Sequence, residues 1–206
     1  MKEPILVCDL GGVLINLNVE RCINRFRDLM GTENMQTVLG LGADGEGIAA
    51  VSVASRQLMA DFECGRISSE TFVAQVQQFC LPDTTAQDVI DAWMSMLDEL
   101  PQQRLDELKR LKQQGYTLYL LSNGNDLHFN YINARYHLDA YFERMFLSQK
   151  MHLAKPDPEI FRQVNDLIAD SRPIIFVDDI PANRLAAQTT VRWQTFASLE
   201  DFMLER

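Results

Sequence analysis

Two hydrophobic rhythms alternate along this chain. Four short runs rich in β-branched and aromatic residues, Ile5 to Cys8, Tyr116 to Leu121, Met145 to Leu147 and Ile174 to Val177, each end in polar residues. That is the pattern of strands buried on both faces of a parallel sheet. Between them apolar residues recur at helical spacing. Leu105, Leu108 and Leu111 do so within Pro101 to Gln114, and Gly115 stands where such a helix stops. Asp157-Pro158 joins a capping acid to a proline suited to a first turn, and Ile160, Phe161, Val164, Leu167 and Ile168 follow on one broad face. Another helix is expected after Pro181, through Leu185 and Ala186, then a fifth strand over Trp193 to Ala197 and a closing helix over Leu199 to Leu204.

Alternating strands and helices predict an α/β fold, a doubly wound, Rossmann-like parallel sheet. The alternation fails between Asn16 and Leu100, where only helical patterns occur, around Val19 to Met30, Ile48 to Glu63, Ser68 to Phe79 and Thr85 to Leu97. Ligands of open α/β sheets bind at the carboxyl edge, so a helical insert after the first strand is expected to cover that edge as an all-helical cap. The predicted division is therefore a core of residues 1–15 and 98–206 with a cap of residues 16–97 inserted after the first strand.

Bulk properties narrow the partners. A formal charge of -10 repels polyanions, and no run of Lys and Arg tracks a phosphate backbone, so nucleic acid is excluded as a partner. No stretch approaches the roughly 20 apolar residues of a membrane span, so no membrane partner is expected. The apolar start from Pro4 to Leu17 is interrupted by Asp9 and lacks a cleavage site, which argues against export. Cys8, Cys22, Cys64 and Cys80 show no ligand spacing and read as reduced thiols of a cytoplasmic protein. Either a monomer or a homodimer fits.

The candidate chemistry lies at the strand ends, which supply Asp9, then Ser122-Asn123, then Lys155 a short loop beyond the third strand, then Asp178-Asp179. A parallel sheet brings these ends together. The set combines carboxylates for a hard cation such as Mg2+, a hydroxyl and an amide for phosphate oxygens, a lysine for negative charge, and an acid free to attack. A pocket of this kind accepts a small anionic metabolite in spite of the net charge.

At these residues the sequence resembles the haloacid dehalogenase-like hydrolases. Val7 to Leu14 (V-C-D-L-G-G-V-L), Leu121-Ser122-Asn123, Lys155-Pro156 and Phe176-Val177-Asp178-Asp179 look like the family's four motifs, and the insert looks like its helical cap. Within the family the likeness is to phosphatases with a D-L-G start, those acting on α-D-glucose 1-phosphate among them. Phe62 to Phe72 and Leu147-Ser148-Gln149 read similarly there. The resemblance implies Asp9 as nucleophile and, through its second oxygen, a Mg2+ ligand. It implies Asp179 as a direct ligand, Asp178 as a ligand through water or as a residue behind the ligands, the Gly11 carbonyl as a further ligand, and Asn183 as the residue orienting the two acids. Ser122 and the Asn123 backbone would hold the phosphoryl group, and Lys155 would offset charge on it and on Asp9. The implied substrate is a small phosphorylated metabolite.

The family's phosphatases mostly carry a second aspartate two residues after the nucleophile, to protonate the leaving oxygen. Here Gly11 stands there. Positioned acid catalysis is typically worth about 10²- to 10⁴-fold, so an ester that leaves with little protonation, such as a sugar 1-phosphate, or a proton relay from the cap, is expected. Two rival readings remain: metal-free haloacid dehalogenation on the same aspartate, and a phosphatase fold of low activity kept for binding a partner. Adjacent Asp178 and Asp179 speak against the first, since carboxylates facing a third repel without a cation. Gly40, Gly42 and Gly45 match G-x-G-x-x-G with no strand before them and read as a loop. His128, His137 and His152 lack metal spacing, and Arg56 and Arg66 read as solvated helix positions.

Overall fold

Parallel pairing of short buried strands builds the centre of the molecule. The strands are Ile5–Cys8 (β1), Thr117–Ser122 (β2), Arg144–Leu147 (β3), Ile174–Val177 (β4) and Gln194–Phe196 (β5), in the spatial order β3-β2-β1-β4-β5. The computed structural model describes residues 3–30 and 53–205. Every pairing is parallel, with Cys8 level with Leu120 on one side and Val177 on the other. Successive side chains alternate between the faces. Leu6 and Cys8 join one core cluster with Leu105, Leu108 and Leu111, while Ile5 and Val7 join the other with Ile160, Phe161 and Val164. Both faces are covered, as a wholly parallel sheet requires.

The helices around the sheet follow their expected signals. Val19–Met30 is α1, Val53–Glu63 α2, Ser69–Gln77 α3, Ala86–Met94 α4 and Gln102–Gln113 α5. Pro158–Ile168 begins under a cap from Asp157, whose side chain accepts from Glu159 N at 2.8 Å. Two helices escaped the periodicity reading: Asp126–Tyr136 (α6) and the single turn Ser148–Met151 (α7). Of α6 only Ile132 is fully buried, so it presents no apolar stripe; its start is set by Asn125, which caps His128 N at 3.0 Å. With these two named, Pro158–Ile168 is α8, Pro181–Val191 is α9 and Leu199–Leu204 is α10. Residues 40, 42 and 45 of the glycine motif, and the start of the helix expected over Ile48 to Glu63, lie outside the described residues.

Helices α1 to α4 enclose a core of their own around Phe26, Phe62, Phe72 and Trp93. Phe62 and Phe72 stack with centroids 4.0 Å apart, and Trp93 tilts against both. The chain enters and leaves this unit through a paired neck, where Asn18 N donates to Met96 O at 2.7 Å and Asp98 N to Asn16 O at 3.0 Å. Arg21 closes the neck by donating to Ser95 O, Leu97 O and the Asp98 carboxylate. No helix among the described residues is long and apolar enough to cross a membrane, and all four cysteines are free.

The helical unit also meets the sheet directly at the turn after α2. There Gly65 has φ +62°, and a Cβ on it would stand 2.1 Å from Gln149 O. His152 Nδ1 lies 2.9 Å from Cys64 O in the same junction. Gly65→Ala is expected to lower stability by at least about 2 kcal/mol, because a left-handed backbone and a clash with main chain coincide. Gly115→Ala, with φ +99° but its nearest neighbour, a side-chain atom, at 3.6 Å, should lower it less. Urea denaturation of the two variants checks the order.

Candidate active site

Strand register delivers the first residues of the site. Asp9 follows β1 and Asp178 follows β4, adjacent strands on either side of the point where strand order reverses; Asp9 N donates to Val177 O at 2.8 Å. Ser122 closes β2. Lys155 arrives on the loop beyond α7, held to the end of β2 by a reciprocal pair in which Lys155 N donates to Asn123 Oδ1 and Asn123 Nδ2 to Lys155 O, both at 2.8 Å. All the residues expected from the sequence thus meet at the carboxyl edge of the sheet.

Lys155 is the hub. Its fully buried ammonium contacts Asp9 Oδ1 at 3.0 Å and Asp178 Oδ2 at 2.6 Å, and donates to Leu121 O at 3.0 Å. Asp178 is fully buried and saturated by the protein. It accepts from Lys155, from Asn183 Nδ2 on both oxygens at 3.0 and 3.1 Å, and from Ile180 N at 2.9 Å. Asp179 is exposed, and oxygens of Asp9, Asp178 and Asp179 lie within 4.8 Å of one another.

The electrostatics of this group call for a cation. Three ionised carboxylates outweigh one ammonium by two charges. Burial pushes the Asp9 carboxyl up to about 6; Lys155 pulls it down and Asp178 pushes it up further. Asp179 is also raised, by burial and then by Asp178. Burial is the main cause of both shifts and the like charge of Asp178 adds to it; a divalent ion bound by these oxygens would favour the ionised carboxylates. The donor set is all oxygen, as hard cations such as Mg2+ prefer.

Two supporting residues carried no signal of their own in the sequence reading. Gly12 has φ +76°, and a Cβ there would stand 2.3 Å from Asp179 Oδ2, so only glycine lets that carboxylate lean over the β1 turn. Arg184 Nη1 donates to the carbonyls of both Asp178 and Asp179, at 2.6 and 2.8 Å, and fixes the turn that carries them. Neither could be read from spacing, because Gly12 acts by vacating space for a distant carboxylate and Arg184 by turning its guanidinium back onto the main chain five and six residues before it.

Beside Asp9 a cavity of about 340 Å³ opens between sheet edge and helical unit. Leu10, Gly11, Ser122, Asn123 and Gly124 line its core side, and Met59, Glu63, Trp93 and Met96 the helical side. A Cβ on Gly11 would meet Leu17 Cδ1 at 3.0 Å, so a larger residue there would need the end of the Leu17 side chain to give way. His128 lines the cavity with its ring stacked on Trp93 at 5.2 Å and Nε2 3.1 Å from Trp93 O. Arg66 faces away, paired with Asp61 at 3.0 Å. Glu63 has its carboxyl raised by burial.

Burial lowers His128 from the usual 6.5 to about 4. Between those values the unfolded chain binds the proton and the fold does not, so this ring makes stability fall as pH drops from 6.5 towards 4. His128→Phe keeps a ring on Trp93 without the titration. Over that interval the wild type is expected to lose on the order of 2–3 kcal/mol more than the variant, measured by denaturant unfolding at stepped pH.

Known proteins place the chain. A family model for haloacid dehalogenase-like hydrolases matches residues 4–189. A D-ribitol-5-phosphate phosphatase of Bacteroides thetaiotaomicron is 26% identical over 188 residues, covering 86% of this chain and 84% of the relative. The crystal structure of a haloacid dehalogenase family enzyme from the same organism is 30% identical over 100% of both chains, with a TM-score of 0.82. A wild-type form of a family enzyme from that organism, complexed with magnesium and inorganic phosphate, is 31% identical over 94% of this chain and 92% of that one, with a TM-score of 0.78. With this fold and these strand-end residues, the chain belongs to the haloacid dehalogenase-like hydrolases.

Proposed function

We propose that this hydrolase is a magnesium-dependent phosphatase acting on a small phosphorylated metabolite through a phospho-aspartate on Asp9. The observation that carries the reading is the carboxylate cluster of Asp9, Asp178 and Asp179 closed by Lys155. A metal-free dehalogenase has no use for three acids gathered at one point, and a binding protein has no use for a buried lysine against a nucleophilic aspartate. The magnesium and phosphate complex of the family enzyme supports the same choice.

In this reading the two acids divide the work. Asp178, its oxygens taken by Asn183, Ile180 and Lys155, would hold the metal through water, and Asp179 with the Gly11 carbonyl and one Asp9 oxygen would hold it directly. When bound, Mg2+ screens the phosphoryl oxygens so that an anionic nucleophile can approach. Leu10 N and Lys155 Nζ both contact Asp9 Oδ1, at 2.7 and 3.0 Å, which fixes the carboxylate through that oxygen. Asp9 attacks phosphorus, the bond to the ester oxygen breaks, and the leaving oxygen takes a proton from solvent and departs as the alcohol. Water then attacks the same phosphorus and gives up a proton to solvent, the bond to Asp9 breaks, and inorganic phosphate departs. Ser122 and the backbone of Asn123 hold the phosphoryl oxygens in both steps. Residues 1–15 and 98–206 form the core and residues 16–97 the cap; the hydrogen-bonded neck at Asn16, Asn18, Met96 and Asp98 supports that boundary.

The substrate is a sugar or sugar-alcohol phosphate, in keeping with the ribitol phosphate phosphatase relative. Since neither Gly11 nor Leu17 can give a proton, the leaving oxygen must depart with little help from that position, which favours a sugar 1-phosphate.

Asp9→Asn is expected to lower phosphate release by at least about 10³-fold and to form no beryllofluoride adduct; chelation should abolish wild-type activity and Mg2+ restore it. Chelator-resistant halide release from a haloacid would instead establish the dehalogenase. Among hexose phosphates, the 1-phosphate should be cleaved faster than the 6-phosphate, and equal kcat/KM for the two would refute the leaving-group argument.

A further inference from the structure

The cavity beside Asp9 holds polar groups that the phosphatase machinery does not use. Gln149 is 5% exposed, lines the cavity, and neither its Nε2 nor its Oε1 has a hydrogen-bond partner. Trp93, 4% exposed, lines the cavity as well, and its Nε1 has none. A buried polar atom left unpaired costs about 1–3 kcal/mol, so two residues that carry such atoms and line one cavity have hydrogen bonds to gain from a polar guest. Glu63 adds an acceptor on the helical side. An amide, an indole N–H and a carboxyl together offer donors and acceptors in mixed order, which matches hydroxyl groups, each a donor and an acceptor at once.

Charge excludes the other guests. Among the described residues that line the cavity there is no Lys or Arg, and His128 is neutral above about pH 4. A leaving group with its own carboxylate or second phosphate would find no counter-ion there and would face Glu63. The volume, about 340 Å³, sits at the small end of ordinary ligand pockets, which run from about 300 to 1,000 Å³.

The polar set is also held in place before anything binds. Ser148 Oγ donates to Glu63 O at 2.6 Å and accepts from Gly124 N at 3.0 Å, so one fully buried hydroxyl ties the turn bearing Glu63 to the loop after Ser122. Gly65, two residues after Glu63, packs against the main chain of Gln149. Glu63 and Gln149 therefore keep one relative position across the junction of cap and core.

We infer that this cavity is a subsite for a neutral, polyhydroxylated leaving group, with the Gln149 amide as the residue that reads its hydroxyls and Trp93 Nε1 and Glu63 as its companions. The inference rests on the phosphatase reading and narrows it to esters of neutral polyols and sugars. It excludes phosphorylated acids, bisphosphates and nucleotides as preferred substrates.

The test compares kcat/KM for ribitol 5-phosphate, phenyl phosphate and 2-phosphoglycolate in the Mg2+-loaded wild type, Gln149→Leu and Trp93→Phe. The wild type should prefer ribitol 5-phosphate to 2-phosphoglycolate by about tenfold or more, and Gln149→Leu should lower the ratio of ribitol 5-phosphate to phenyl phosphate by about tenfold or more. Trp93→Phe, which keeps a ring and removes only the N–H donor and some volume, should lower that ratio in the same direction if Gln149→Leu folds poorly. A ratio unchanged within about twofold in a folded variant, or wild-type preference for 2-phosphoglycolate, overturns the subsite. If the wild type cleaves no ester, the phosphatase reading has failed. The subsite is then decided by calorimetry with the phosphonate analogue of ribitol 5-phosphate: binding weakened in Gln149→Leu upholds it, and binding equal in both overturns it.

Discussion

A lysine ammonium with no exposure to water sits between two carboxylates at the edge of a parallel sheet, and the rest of the site is arranged around keeping it there. Taking such a charge out of water is costly, and the contacts at 3.0 and 2.6 Å with Asp9 and Asp178 offset that cost only because both acids are themselves held by main-chain or amide donors. Lys155 depends on the reciprocal bond pair with Asn123, which joins its loop to β2. Removing either partner would leave a buried charge uncompensated. Three strands thereby become energetically one unit at their carboxyl ends.

The same constraint divides two adjacent aspartates. Asp178 faces inward and spends its oxygens on Lys155, Asn183 and Ile180 N; Asp179 faces outward and keeps its own for something else. Gly12 makes room for that second carboxylate and Arg184 pins the main chain beneath both. The cluster carries more negative than positive charge, and burial, with Asp178 adding to it, raises the carboxyls of Asp9 and Asp179. A divalent cation among these oxygens would offset that excess.

The helical unit settles what can reach this centre. Gly11 leaves an opening, Leu17 leans into it, and the cavity that remains is apolar over much of its wall with a few polar groups on fixed supports. In the proposed reading, chemistry and selection come from different parts of the chain: the sheet edge carries the acids and the lysine, and Glu63 and Gln149 line the cavity beside them.

The strands, most helices and the reacting residues could be read from the linear sequence because each is dictated locally. A buried strand needs an unbroken apolar run, a helix start needs a cap such as Asp157, and residues at the ends of parallel strands must converge. Helix α6 could not be read, since Ile132 is its one buried residue and the helix shows no apolar stripe. The contribution of Gly12, the neutral state of His128 and the unpaired amide of Gln149 were also invisible. The sequence by itself determined which groups stand at the carboxyl edge, because strand order and chain direction place them there. Only the tertiary structure decided which aspartate is saturated, what stands beside Gly11 and which side chains line the cavity, because those outcomes depend on how side chains pack, across contacts as near as Asn183 with Asp178 and as distant as Ser148 with Glu63.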